Sequence, residues 1–363
     1  MTHEELQQEE LDLYDKSTTA EANIETASEK YSRPRKGACG LRQMDLFTNR
    51  LPYISGLGIP YMGSKRKLAP KIVDFILAEN PQAKYVFDLF GGGGAMSFEF
   101  LQRHQIERVV YNDLDGGVVS LLRDIWQNGV TEKYLQWVDR ATFHEHKNGN
   151  DWFSGFVKTC WSFGCNCEKG YLFSEENERL KRPLHLAIVE KDEKYLKDFE
   201  EISGIQIPSE LLDFETINER RLKVMGFVKK NKNTEKRIEL QQLEQLQQLQ
   251  QLQNLQHLER LEQLQRLQQL EISNGSYSDV VINTPISETV IYLDPPYVNT
   301  TTYQKKLSHD ELYSWIEKSP YKIYLSSYES HLPCVAEFEH RSTLSASNNS
   351  KKVSEKIFCN MVK

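Results

Sequence analysis

The stretch KYVFDLFGGGG, Lys84 to Gly94, decides how the rest of the chain is read. Tyr85, Val86 and Phe87 are the aromatic and β-branched kind of run that a buried strand takes, and Asp88 closes it. Four consecutive glycines, Gly91 to Gly94, then stand where a helix should open. Glycines there let the chain turn sharply and let backbone N–H groups approach a nucleotide-like ligand at the helix N-terminus. A plain structural turn would use the same residues, so the loop alone leaves both readings open.

The following segment narrows the choice. A second strand is predicted at RVVYN, Arg108–Asn112, and it ends at Asp113, about 20 residues beyond the glycines. In dinucleotide-binding folds a carboxylate at that place accepts hydrogen bonds from ribose hydroxyls. This loop lacks the GxGxxG spacing, however, and no phosphate-cradling lysine follows it. A ribose-bearing ligand without a pyrophosphate fits better, and S-adenosylmethionine is one. The other reading of Asp113, as the N-cap of the next helix, is compatible with that role.

Upstream lies YMGSK, Tyr61 to Lys65, and then a predicted helix over 65–79. Its stripe is Leu68, Ile72, Phe75 and Ile76, with Ser64 available as N-cap and Pro70 tolerated near the start. Strand-like runs return late, at 280–282 (VVI), 289–293 (TVIYL) and 321–328 (YKIYLSSY). The alternation is that of an α/β protein with a parallel sheet.

The sharpest motif is DPPY, Asp294-Pro295-Pro296-Tyr297, directly after the TVIYL run. Two prolines cannot continue a ladder, so the chain leaves the sheet on a rigid path that aims the Asp294 carboxylate, the Pro295 carbonyl and the Tyr297 ring outward together. Two acceptors and an aromatic ring suit an exocyclic amine on a base. The amine is a poor nucleophile because its lone pair is delocalised, and two accepted N–H bonds favour rehybridisation while the ring stacks. Such catalysis needs positioning and charge stabilisation, with no covalent intermediate and no metal. In duplex DNA that nitrogen is hidden, so the base must be flipped out.

Composition sets the bounds. The chain has 363 residues, 39% hydrophobic and 10% aromatic, which is enough for a core and a large insertion. It shows no membrane-length apolar run and its acidic start is unlike a secretory signal, so a cytoplasmic protein with reduced cysteines is expected. CWSFGCNC (160–167) lacks a second CxxC or His pair at ligand spacing, and no metal is expected. The net charge of −7 argues against a nucleic-acid partner until its distribution is read. Arg220, Arg221, Lys223, Lys229, Lys230, Lys232, Lys236 and Arg237 crowd into one segment, a candidate phosphate-binding run or a solvated face.

Residues 1–50 read as a disordered leader. Leucines recur every third residue from Leu240 to Leu270 in a Gln/Glu background. On a helix that stripe winds around the axis instead of settling on one side, and it is no heptad; a low-complexity helix over 235–272 is expected, as a spacer or a partner-binding element.

Taken together and in this order, YMGSK, DLFGGGG, Asn112-Asp113 and DPPY resemble the Dam-type DNA adenine-N6 methyltransferases in their alpha arrangement, over roughly 56–126 and 277–363. The resemblance implies a Rossmann-like S-adenosylmethionine-dependent methyltransferase sheet, with a catalytic domain over 51–126 and 276–363 and a mainly helical target-recognition region inserted at 127–275. It implies cofactor contacts from Tyr61, Lys65, Asp88, Phe90, Gly91, Gly93, Asp113 and Asp294, and catalysis at Asp294, Pro295, Pro296 and Tyr297. Double-stranded DNA is the implied partner, held by Arg220, Arg221, Lys223, Lys229 and Lys230, and a restriction endonuclease is a further candidate partner. Ser162-Phe163-Gly164, Lys169-Gly170-Tyr171, Asn348-Asn349, Lys351 and Glu355 also look like family members, without a role derivable from sequence. Cytosine N4, an RNA base, a protein glutamine, or a DNA-binding relative without catalysis are the alternatives; related cytosine-N4 enzymes resemble SPPY and glutamine methylases NPPY, so Asp294 favours adenine.

Overall fold

The computed structural model describes residues 53–165, 170–231, 269–296, 307–341 and 352–361, all within the compact unit Tyr53–Lys363. The expected leader 1–50, Tyr297, Lys232, Lys236, Arg237, Lys169, Asn348, Asn349, Lys351 and the leucine tract as far as 268 lie outside the described residues.

The chain enters helix α1 (Ala69–Glu79), strand β1 (Tyr85–Asp88), helix α2 (Ala95–Leu101), strand β2 (Arg108–Asp113) and helix α3 (Gly116–Asn128). Five helices follow: α4 (Arg140–His146), α5 (Trp152–Cys160), α6 (Glu175–Glu190), α7 (Glu193–Ser203) and α8 (Ile217–Lys230). The sheet then resumes with β3 (Leu270–Asn274), β4 (Thr289–Leu293), helix α9 (His309–Lys318), β5 (Lys322–Ser327), β6 (Cys334–Arg341) and β7 (Lys352–Cys359).

The seven strands lie in the order β3-β2-β1-β4-β5-β7-β6. β3, β2, β1, β4 and β5 are parallel, and the β6–β7 hairpin closes one side antiparallel. Alternating side chains face opposite ways. Val86, Val109, Tyr111, Val290, Tyr292 and Tyr324 join the cluster with α1, α2 and α3, while Phe87, Val110, Ile291, Leu293, Ile323 and Leu325 pack with Leu312 and Ile316 of α9. A sheet covered on both faces explains why β4 is buried at every position and runs apolar from Val290 to Leu293. From β1 the chain steps outward to β2 and β3 and then returns to β4 on the other flank of β1. That reversal opens a crevice at the carboxyl ends of β1 and β4, where ligands bind in open α/β sheets.

Between β2 and β3, helices α6, α7 and α8 enclose a smaller cluster of their own, built on Leu184, Ile188, Leu196, Phe199, Val224 and Val228. Capping fixes where these helices start. Ser174 accepts from Asn177 N, Asp192 from Lys194 N, and Thr216 and Glu219 form a reciprocal capping box at α8.

Three sequence expectations are corrected. The helix expected from Lys65 starts at Ala69, with Leu68 and not Ser64 at the N-cap and Pro70 in the first turn. The Lys65 carbonyl instead accepts from Leu68 N and Ala69 N, each at 2.7 Å, in a tight turn before the helix. The 280–282 run is no strand: it lies between two short 3-10 turns, with Val281 79% exposed and Pro285 close behind. The outer parallel strand is β3 at 270–274, paired with β2, so the end of the region assigned to the insertion and to the leucine tract belongs to the sheet.

Candidate active site

The crevice between β1 and β4 is a cavity of about 190 Å³ walled by segments 61–65, 88–96 and 292–296 together with Tyr328. It collects Tyr61, Lys65, Asp88, Phe90, Gly91, Gly93, Asp294, Pro295 and Pro296 from three places in the chain.

The glycine loop is shaped by what lies against it. A Cβ on Gly91 would sit 2.1 Å from the Tyr111 ring, and the Tyr111 hydroxyl donates to the Gly92 carbonyl at 2.8 Å. Gly93 faces the Ile59 carbonyl, where a Cβ would come within 2.6 Å, and its own carbonyl accepts from Ile59 N at 2.9 Å. Segment 57–61 is therefore bound edge-on to the loop, and this places Tyr61 and the residues after it on the cavity wall.

Asp88 ends β1 and is 1% exposed. One carboxylate oxygen accepts from Ser97 N at 3.1 Å and from the Ser97 hydroxyl at 2.7 Å, while the other, buried, has no partner. Burial pushes this carboxyl up to about 7, against the lowering effect of Ser97. Ser64 Oγ is a second buried polar atom without a partner on the same wall.

At the end of β4, both oxygens of Asp294 accept from Lys65 Nζ, at 2.9 and 2.8 Å. The Lys65 side chain is only 7% exposed and also lies 3.8 Å from Glu355, which takes the Ser326 hydroxyl at 2.5 Å. Burial alone would lower the Lys65 ammonium, but Asp294 and Glu355 hold it above the usual lysine value.

Asp113 is not on this cavity wall. Its carboxylate accepts from Gly92 N and from Asp115 N, each at 2.8 Å, tying the end of β2 to the glycine loop. Burial pushes it up to about 6, with those N–H groups working against the shift. The N-cap of α3 is Asp115, which accepts from Gly117 N and Val118 N.

Among the basic residues the sequence pointed to, Arg220 is misassigned as a DNA contact. It is 3% exposed, and its guanidinium donates to the carbonyls of Ile188 (2.7 Å), Phe214 (2.9 Å) and Glu215 (2.9 Å). Its place four and eight residues before Val224 and Val228 puts it on the buried stripe of α8. Arg221 is half-buried, and burial lowers it from the usual arginine value. Lys223, Lys229 and Lys230 are exposed, Lys223 over the Phe214 ring at 5.1 Å.

Sequence reasoning missed Tyr328, 46% exposed at the cavity rim, and Ser326. Both stand at the carboxyl end of the strand beside β4, which is the cue that could have found them. Ser162 and Tyr171, quoted without a role, face each other across an isolated antiparallel bridge. Among the described residues no group of three or more His, Cys, Asp or Glu is arranged for a metal ion, and no helix is long and apolar enough to cross a membrane.

No curated protein matches the chain. A family model for D12 class N6 adenine-specific DNA methyltransferases matches residues 61–355, a span that starts at Tyr61 on the cavity wall and ends at Glu355 beside Lys65. The chain belongs to that family, the D12 class N6 adenine-specific DNA methyltransferases, and is an enzyme that methylates adenine N6 in DNA.

Proposed function

We propose that the cavity between β1 and β4 is where this chain binds S-adenosylmethionine and presents the target adenine to it. The observation that carries this reading is the meeting of 61–65, 88–96 and 294–296 around one crevice, with Asp294 anchored at its edge. The lining suits such a ligand. The glycines leave backbone exposed where any side chain would collide, and Asp88 and Ser64 each offer a buried polar atom without a partner. Members of the family are S-adenosylmethionine-dependent, and that group supplies an electrophilic methyl when bound.

In this reading Tyr61, Phe90, Gly91 and Gly93 shape the site, Lys65 supplies charge, Asp88 offers an open acceptor oxygen, and Asp113 holds the glycine loop in place. A carboxylate has about four lone-pair positions. Asp294 can therefore keep its bonds to Lys65 and still accept one N–H of the adenine amine, while the Pro295 carbonyl accepts the other. Holding both N–H bonds draws the nitrogen toward sp3 and stabilises the positive charge that grows on it. Pro296 fixes the path of the chain, and Tyr297 stacks on the base, which is flipped out of the duplex to reach the crevice.

The sheet is read as Rossmann-like, and the helical segment between β2 and β3 as the target-recognition insertion. Lys223, Lys229 and Lys230, with Arg221 beside them, hold phosphates. The test is to incubate purified protein with radiolabelled S-adenosylmethionine and unmethylated DNA and to chromatograph the nucleosides. Label is expected in N6-methyldeoxyadenosine; protein that neither retains nor consumes the labelled donor sinks the cofactor assignment.

A further inference from the structure

We propose that Glu355 is a specificity-determining residue that acts through Lys65 to make the cavity favour the cationic methyl donor over the neutral thioether left after transfer. The inference rests on the reading of the cavity as the S-adenosylmethionine site and adds to it a discrimination between substrate and spent product.

The argument starts from a shared cation. Lys65 holds Asp294 at 2.8 Å, and a one-to-one pair would carry no net charge. Lys65 is not in a one-to-one pair, because Glu355 stands 3.8 Å from the same ammonium. Within this trio two carboxylates face one ammonium. Glu355 is 3% exposed, so water screens it weakly, and it accepts from the Ser326 hydroxyl at 2.5 Å. Asp88, on the same cavity wall, adds a carboxyl oxygen with no hydrogen-bond partner.

A sulfonium is stabilised by a negative surrounding and a thioether is indifferent to it, although the two ligands share every other atom except the transferred methyl. A buried negative charge one residue removed from the cavity thus acts on the difference between them while making no contact with either. It also explains a placement that the catalytic reading leaves idle: a glutamate on β7, beside Lys65 and buried from solvent.

The test is the binding of S-adenosylmethionine and S-adenosylhomocysteine to the full chain and to E355Q, by calorimetry. The glutamine keeps the shape and can still accept from Ser326. E355Q is expected to lower the ratio of S-adenosylmethionine to S-adenosylhomocysteine affinity by about tenfold while S-adenosylhomocysteine affinity changes little. S326A, which breaks the same buried contact but leaves the charge, should keep the ratio. An unchanged ratio in E355Q, including equal weakening of both ligands, makes Glu355 a packing residue and overturns the proposal. A second arm needs no variant: an analogue with an ammonium in place of the methylsulfonium should bind the natural chain more tightly than S-adenosylhomocysteine does, and equal or weaker binding overturns the proposal as well. If neither nucleoside binds the natural chain, the cofactor reading itself has failed, an outcome distinct from an unchanged ratio.

Discussion

Asp294 is anchored before any substrate arrives, since Lys65 meets both of its oxygens. A preset acceptor needs no reorganisation during reaction, which is where electrostatic catalysis gains most. D294N keeps size and one acceptor but loses the charge, and should lower the rate of methyl transfer roughly 10²–10³-fold. Single-turnover label transfer measures this, and a near-normal rate would remove Asp294 from the chemistry. Asp88 gives a pH prediction of definite sign. Its carboxyl is held at about 7 in the folded protein against an ordinary 3.8, so the folded chain binds this proton more tightly than the unfolded one. The group's contribution to stability is complete below about pH 4, is lost as pH rises toward 7, and is constant above. D88N lacks that loss. The melting temperature of D88N minus that of the natural chain should therefore climb between pH 4 and 7 and then level; a difference that stays flat shows that Asp88 titrates normally. Asp113, at about 6, contributes the same sign in both proteins and cancels in the comparison.

Helix α8 shows how one element divides its cations between two tasks. Arg220 satisfies carbonyls left open at the end of α6 and in the turn before α8, whereas Lys229 and Lys230 project from its last turn. R220A should cost about 2–4 kcal/mol of stability, because it strands buried carbonyls and opens a gap, while the salt dependence of DNA binding stays the same. K229Q with K230Q should do the reverse: melting unchanged within about a degree, weaker DNA binding, and a salt slope flatter by roughly two units. An unaltered slope would leave the two lysines as a solvated end. The same helix marks what could be read from sequence. The charge run was visible, but which of its members pointed inward depended on the apolar residues at 224 and 228. Motifs made of neighbouring residues were legible for the opposite reason. YMGSK, DLFGGGG and DPP each carry their geometry in consecutive positions, and all three face the cavity. Ser326, Tyr328 and the use of Glu355 were hidden because strand order alone brings β5 beside β4 and β7 beside β5. β3 was hidden because its first residue, Leu270, continues the every-third-residue leucine pattern, and the pairing with β2 that makes it a strand is long-range.

The described chain is one two-faced sheet with a second, smaller apolar cluster built from α6, α7 and α8. If that helical module carries the DNA contacts, damage to its core should separate two activities. F199A empties a fully buried site in the smaller cluster and should cost about 3–5 kcal/mol locally. DNA affinity should fall well beyond the change in S-adenosylmethionine affinity, measured by titrating each ligand separately; equal losses would mean that the two cores unfold as one. The position of β1 has a further consequence, for the chain as it is made. β1 is flanked by β2, which follows it at once, and by β4, which begins at Thr289, about 175 residues after β2 ends at Asp113. At roughly 5–20 residues per second, a ribosome needs on the order of 10–35 seconds to close that interval. Throughout it, the central strand of the nascent protein waits with one hydrogen-bonding edge unpaired, and shielding that edge falls to a chaperone or to the helices already made.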